Sequence, residues 1–351
     1  MIFFISCADY SKINVKNYFQ KNRCLLSISN LEIFLEWAKM QNCFFMKKTL
    51  LTLLSIGLLT GLAFPLTAQN NEQEDPTAPA KGERSKKHAD KPEPPNPWTK
   101  PNTPPPIEPG NATKVSCPDP LTNHTSSTLK LDNTKESFSI YIPVGFDPKE
   151  TYGVVVFIPG PNDRGTCPGQ WFTVLNDRKL ICISPYGAGN KEMLGRRYAL
   201  ALTSAELAKK YFKIDPKRIY VAGYSGGARV AGMLALNYPE VFKGTIQSCG
   251  ADFYKPVPRV AVTDEEVAKG ADYGGCQAGH PEEAKANVRF VFITGPGDFR
   301  NHFIKDIYNG GYKPSGFKAL LIDVPDMRHN ICNTESFGKA IDFIETGKLP
   351  E

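Results

Sequence analysis

The segment Gly223-Tyr224-Ser225-Gly226-Gly227 sets a serine between glycines in the spacing G-x-S-x-G. It follows an apolar run, Arg218–Ala222, that reads as a buried strand. It precedes Ala228–Asn237, where Ala, Val, Met and Leu recur at helical spacing. A turn of this kind drives the serine hydroxyl out of a sharp strand-to-helix corner. Its glycines admit close backbone approach, and the helix N-terminus faces any oxyanion that develops beside the serine. The corresponding chemistry is nucleophilic attack on a carbonyl, which needs a base, a group that orients the base, and hydrogen-bond donors for the oxyanion.

Two later segments offer such partners. "VRFVFITGPGDFR" places Asp298 just past a strand, after a Gly-Pro-Gly turn, and "ALLIDVPDMRHN" places His329 in the loop between the next strand and the last helix. An imidazole can take the serine proton, and a carboxylate can fix its tautomer and stabilise its charged form. His124 and His280 lack a matching strand end, and His302, on the helix after Asp298, is the nearest competitor for the base. Asp323 and Asp326 are rivals of Asp298, which also suits a simple turn.

The elements that must position these side chains alternate along the chain. "SFSIYIP", "GVVVFIP", "LICISP", the serine strand, "FKGTIQSC", "VRFVFITG" and "FKALLIDVP" read as strands. Helices are expected at Gln170–Asp177, Arg196–Phe212, after the serine, between the last two strands and at Thr334–Glu345. The stretch Gly250–Asn287 reads as irregular and polar. Continuous apolar runs separated by helices predict a mostly parallel central sheet covered on both faces. In such sheets the working residues lie beyond the carboxyl ends of strands.

With these residues in place, positions from about 137 to 347 resemble an α/β-hydrolase. They are most similar to the secreted esterases of the polyhydroxybutyrate depolymerase and feruloyl esterase type. The "RIYVAGYSGG" block and the chain order Ser…Asp…His carry the resemblance. It implies Ser225 as nucleophile, Asp298 as acid and His329 as base, with an acyl-enzyme and neither metal nor organic cofactor. It also implies that Gly226 donates one main-chain N–H to the oxyanion. One departure stands out. Many relatives read His-Gly-x after the strand that corresponds to "GVVVFIP", with x as second donor, whereas this chain reads Pro159-Gly160-Pro161. Proline has no N–H. Gly160 or Asn162 is therefore expected to supply the second donor, with the Asn162 side chain preferred. A missing donor costs about a hundredfold to a thousandfold in turnover.

The expected substrate is a small-molecule or polymeric ester. Tyr224, Trp171, Phe172, Phe299 and Tyr254 are candidates for an apolar acyl site, although aromatics more often fill cores. Two other readings stay open: a serine peptidase related to prolyl oligopeptidases, and a noncatalytic binding module on the same fold, which Pro161 favours.

The 351 residues carry 42 Lys/Arg and 36 Asp/Glu. Residues 1–68 hold seven of those basic and three of those acidic groups, so the remainder is close to neutral. No clustered basic face points to nucleic acid. Met46-Lys47-Lys48, an apolar run and Ala68 before Gln69 form the pattern of a secretory signal peptide. The expected organisation is an upstream extension at 1–45, a signal peptide at 46–68, a Pro-rich linker at 69–115 and a catalytic domain at 116–351. The chain is then periplasmic or secreted, with no stable membrane insertion after processing. If 1–45 are retained, the apolar run becomes a membrane anchor. Of nine cysteines, Cys7, Cys24 and Cys43 precede Met46. The other six suggest disulfides in an exported chain, and none has the C-x-x-C spacing of a zinc site.

Overall fold

The computed structural model describes residues 98–121, 131–161, 165–258 and 273–349. The expected upstream extension and signal peptide, most of the expected linker, His124 and Asn162 lie outside the described residues. All described residues belong to one compact unit, Lys86–Glu351.

Among the described residues ten strands form, eight of them in one sheet. These are β1 (Ala112–Val115), β2 (Phe138–Tyr141), β3 (Tyr152–Ile158), β4 (Leu180–Pro185), β5 (Ile214–Tyr224), β6 (Gly244–Ser248), β9 (Arg289–Thr294) and β10 (Lys318–Asp323). Their spatial order is β1-β2-β4-β3-β5-β6-β9-β10. β2 runs antiparallel to both β1 and β4. Every other neighbouring pair is parallel. A mostly parallel sheet with one swapped pair of neighbours, β4 outside β3, is the α/β-hydrolase fold.

Side-chain alternation splits the core in two. Val154, Val156 and Ile158 of β3 face α2 (Leu194–Tyr211) and α3 (Gly226–Asn237). Val155 and Phe157 face the other way, toward α1 (Phe172–Asp177) and α6 (Thr334–Thr346). All seven residues of β3 are buried, as expected of a central strand covered on both faces. The last helix is held at both ends. Asn333 accepts the N–H of Ser336, and Gly347 closes the helix in the left-handed region at φ 75°.

The structure corrects the sequence reading in three places. Chain order begins earlier than the Ser116 boundary, because β1 pairs with β2 from Ala112 and Trp98 packs edge-on against Tyr211 at 4.7 Å. Low apolar content masked one anchoring tryptophan. The Gly250–Asn287 stretch is not wholly irregular: it holds a small ladder, β7 (Pro256–Val257) with β8 (Tyr273–Gly274), and a helix, α4 (Pro281–Asn287). Finally, Cys117, Cys167, Cys182, Cys249, Cys276 and Cys332 are all free thiols, so the expected bridges are not formed. All but Cys276 are buried, where a thiol packs as a small apolar group.

Candidate active site

Strand β5 ends at Tyr224 and helix α3 begins at Gly226, leaving Ser225 alone at the corner. Its backbone sits at φ 55° and ψ −121°, a conformation that costs energy in any residue with a side chain. The glycines explain how so tight a corner closes. A Cβ on Gly223 would lie 2.2 Å from the carbonyl oxygen of Gly227, and one on Gly227 would lie 2.1 Å from that of Ile158. Helix and strand touch backbone to backbone there.

Asp298 follows β9, and His329 follows β10. The two loops are stitched together, since the N–H of Gly297 donates to the carbonyl of Met327 at 3.0 Å. That stitch brings the side chains into line. His329 Nδ1 lies 2.7 Å from Asp298 Oδ1, and His329 Nε2 lies 3.0 Å from Ser225 Oγ. Both bonds fit one tautomer, in which Nδ1–H donates to the carboxylate and Nε2 accepts from the serine hydroxyl. The three residues that the sequence reading singled out therefore converge.

The carboxylate is buried, at 3% exposure, and fully engaged. Thr294 Oγ1 donates to Oδ2 at 2.8 Å, and the Arg300 N–H donates to Oδ1 at 3.0 Å. Burial alone would raise the Asp298 carboxyl. Hydrogen bonds from His329, the Arg300 N–H, Thr294 and the Cys249 thiol together hold it below the usual carboxylate range. Burial first, then the charge of Asp298, pushes the Cys249 thiol up, so it stays protonated beside the acid.

The rivals stand elsewhere. His280 approaches Glu283 at 4.0 Å, and Asp323 pairs with Lys305 at 2.6 Å. His302 lies on α5 (Asn301–Asp306), while the imidazole on Ser225 Oγ is that of His329, and Asp326 occupies a turn at φ 61°. Among the described residues, one group of metal-ligand types has its atoms within 4.8 Å: Cys249, Asp298 and His329. Two of these are already hydrogen-bonded to each other.

The aromatic candidates divide. Trp171 is buried and stacks on Phe337 at 4.1 Å, Phe172 stacks on Tyr141 at 3.8 Å, and Tyr254 packs against Phe253 at 4.7 Å. These three are packing residues. Phe299 is 57% exposed with its ring 4.2 Å from that of His329. Tyr224 donates its hydroxyl to the carbonyl of His329 at 2.6 Å, which anchors the base's loop.

Of the expected oxyanion residues, Gly226 is the first residue of α3, and Gly160 packs against Ser225. A Cβ on Gly160 would come within 3.2 Å of Ser225 Cβ. Pro161 is exposed, and Asn162 lies outside the described residues. Sequence reasoning missed Asn190 and Arg197. The N–H of Asn190 donates to the carbonyl of Gly160 at 2.9 Å. Arg197 is buried and donates to the carbonyls of Ala188 at 2.8 Å and Pro159 at 3.0 Å. No motif carries either residue. The only sequence signal was an arginine early in an otherwise apolar helical face.

No protein-family model matches the chain, and no curated protein matches its sequence. Solved structures align with part of the chain. Esterase 2 of Thermogutta terrifontis, bound to propionate, is 16% identical with a TM-score of 0.45, over 65% of this chain and 96% of that one. A CE1 ferulic acid esterase from Anaeromyces mucronatus, bound to ferulic acid, is 15% identical with a TM-score of 0.45, over 68% and 91%. A protein of Bacteroides ovatus provisionally assigned as a dipeptidyl aminopeptidase IV is 17% identical with a TM-score of 0.42. The match covers 61% of this chain but only 34% of the length of that protein.

Proposed function

We propose that the chain is a serine hydrolase that cleaves carboxylic esters through an acyl-enzyme. The observation that carries this reading is the pair of hydrogen bonds on the imidazole, 2.7 Å to Asp298 and 3.0 Å to Ser225, with the serine on a strained corner. Strain of that kind is retained where it serves to present a group.

In this mechanism Ser225 Oγ attacks the carbonyl carbon as its proton passes to His329 Nε2. The carbonyl oxygen becomes an oxyanion facing the N-terminus of α3, where the Gly226 N–H donates to it. Collapse of the tetrahedral intermediate breaks the bond to the alcohol, which leaves with the proton from Nε2. Water then gives a proton to the imidazole as it attacks the acyl carbon, and collapse of the second tetrahedral intermediate breaks the bond to Ser225 Oγ, which takes that proton back from Nε2 as the carboxylic acid leaves. Asp298 keeps the proton on Nδ1 and stabilises the imidazolium without accepting that proton.

A noncatalytic binding module remains the second reading, because Pro161 removes a main-chain donor at the expected oxyanion position. A fluorophosphonate probe, followed by peptide mapping, separates the two. Labelling at Ser225 with turnover of short-chain, aromatic or polymeric esters supports the hydrolase. Absence of both supports the binder. Matched amide substrates run beside the esters test the peptidase alternative.

Export is part of the same proposal and rests on Met46–Ala68, which lies outside the described residues. Among the described residues no helix is long and apolar enough to cross a membrane. N-terminal sequencing of protein from its native host should find a mature chain starting near Gln69. A membrane-bound chain that retains residues 1–45 would sink the export reading.

A further inference from the structure

We propose that the carboxamide of Asn190 is the second oxyanion donor, taking over the role that Pro161 cannot fill. The proposal rests on the serine-hydrolase reading above.

The placement follows from two contacts on either side of the nucleophile. One wall of the oxyanion position is Gly160, which packs against Ser225 and the carbonyl of Tyr224. The other is Gly226, which opens helix α3. Asn190 touches both. Its N–H bonds the Gly160 carbonyl at 2.9 Å, while its side chain lies over Gly226. A Cβ built on Gly226 would fall 2.1 Å from Asn190 Oδ1 and 3.0 Å from Nδ2, so only a glycine leaves room for the carboxamide. A half-turn about the terminal torsion exchanges Oδ1 and Nδ2, and the amide can then present a donor beside the Gly226 N–H.

The carboxamide is reachable and its loop is held. Asn190 is solvent-exposed beyond the carboxyl end of β4, two strands from β5, and its carboxamide makes no hydrogen bond to the described residues. Beneath it, the buried Arg197 guanidinium binds the carbonyls of Ala188 and Pro159, clamping the Asn190 loop and the Gly160 turn together. A donor fixed before the charge develops gains most in the transition state and little in the ground state. A side-chain amide on a neighbouring loop can thus replace a main-chain N–H lost to proline.

The test uses Asn190→Ala and Asn190→Asp in the full chain, assayed on the best ester found for the wild type. Asn190→Asp keeps the shape but replaces the donor with a charged acceptor. Both retain the main-chain bond to Gly160. Each variant should lose about a hundredfold to a thousandfold in kcat, with KM changed only a few-fold and fluorophosphonate still reacting at Ser225. A loss confined to KM, or wild-type kcat in either folded variant, overturns the assignment and returns the role to the Gly160 N–H or to Asn162. If one variant fails to fold, the other decides. A wild type inert toward both esters and fluorophosphonate removes the hydrolase reading and this proposal with it. A labelled, active wild type with fully active variants removes this proposal alone.

Discussion

The main-chain N–H of Ser225 donates to the carbonyl of Ser248 at 2.8 Å. The bond ties the nucleophile's corner to the end of the neighbouring strand and uses up the serine's own amide. The next N–H along the chain, that of Gly226, is then the first of α3 that can meet an oxyanion. In the proposed mechanism this divides the labour of the corner: residue 225 is to supply the hydroxyl, and residue 226 the donor. On the far side, a Cβ on Gly250 would meet the carbonyl of Ser225 at 2.2 Å, so both faces of the corner are in backbone contact.

Replacing Ser225 or His329 with Ala is expected to reduce ester turnover to background, because nucleophile and base act as one unit. Asp298→Asn should lose about 10⁴ in kcat, since an amide facing Nδ1 favours the wrong tautomer. Steady-state kinetics on a chromogenic ester checks all three. Full activity in Asp298→Asn beside a dead Asp323→Asn would move the acid to Asp323.

Two glycine substitutions should fail differently. A Cβ at Gly227 meets a backbone oxygen, that of Ile158, which cannot give way, so Gly227→Ala should unfold at lower denaturant and lose activity. At Gly226 the added methyl meets the end of the Asn190 side chain. Gly226→Ala should keep most of its stability while kcat falls. Equal denaturation midpoints for the two variants would contradict the packing described above.

Arg197→Met should destabilise the protein by about 1–3 kcal/mol, because the buried carbonyls of Ala188 and Pro159 lose a charged donor. It should also lower kcat, because the Asn190 loop and the Gly160 turn are no longer clamped. Lysine should not rescue it, having no planar fork to span both carbonyls. Urea unfolding and kinetics on the Met and Lys variants test this. A Lys variant equal to wild type would refute it.

Phe299→Ala should raise KM for esters with aromatic acyl groups and leave acetyl esters little changed. The ring is exposed and lies beside the base, where it can stack on substrate without supporting the core. A uniform loss across the ester panel would instead mean that Phe299 holds His329 in place.

Acid should weaken the fold through Asp298. Its carboxyl is held below the usual range in the folded chain, so the unfolded chain binds the proton more readily, and stability rises with pH across that window. The contribution is complete above the unfolded value of about 3.9 and is lost as pH falls through the lower folded value. Denaturant unfolding between about pH 5 and about pH 3 should show a steeper decline in wild type than in Asp298→Asn, which has no carboxyl to protonate at that position. Identical slopes would mean that the acid is not perturbed.

Much of the architecture was legible because it is written in local pattern. Runs such as "GVVVFI" can satisfy their apolar residues only as a central strand, and Gly223, Gly226 and Gly227 around Ser225 admit a corner that other residues would block. Asp298 and His329 were legible for a related reason, since each follows an unmistakable strand and parallel strands end on one edge of the sheet. What the linear chain did not contain was distance between remote side chains. Trp171, Phe172 and Tyr254 looked as suited to a substrate wall as Phe299, and only the tertiary structure shows them packed on Phe337, Tyr141 and Phe253. Cysteine parity suggested bridges, whereas the six thiols stay free in the fold, and Cys167, Cys182 and Cys332 share one core cluster unbridged. Asn190 and Arg197 carry no motif at all. Their positions depend on how the loop after β4 and the turn after β3 come together, and a pattern of residue types along one strand or helix cannot encode that contact.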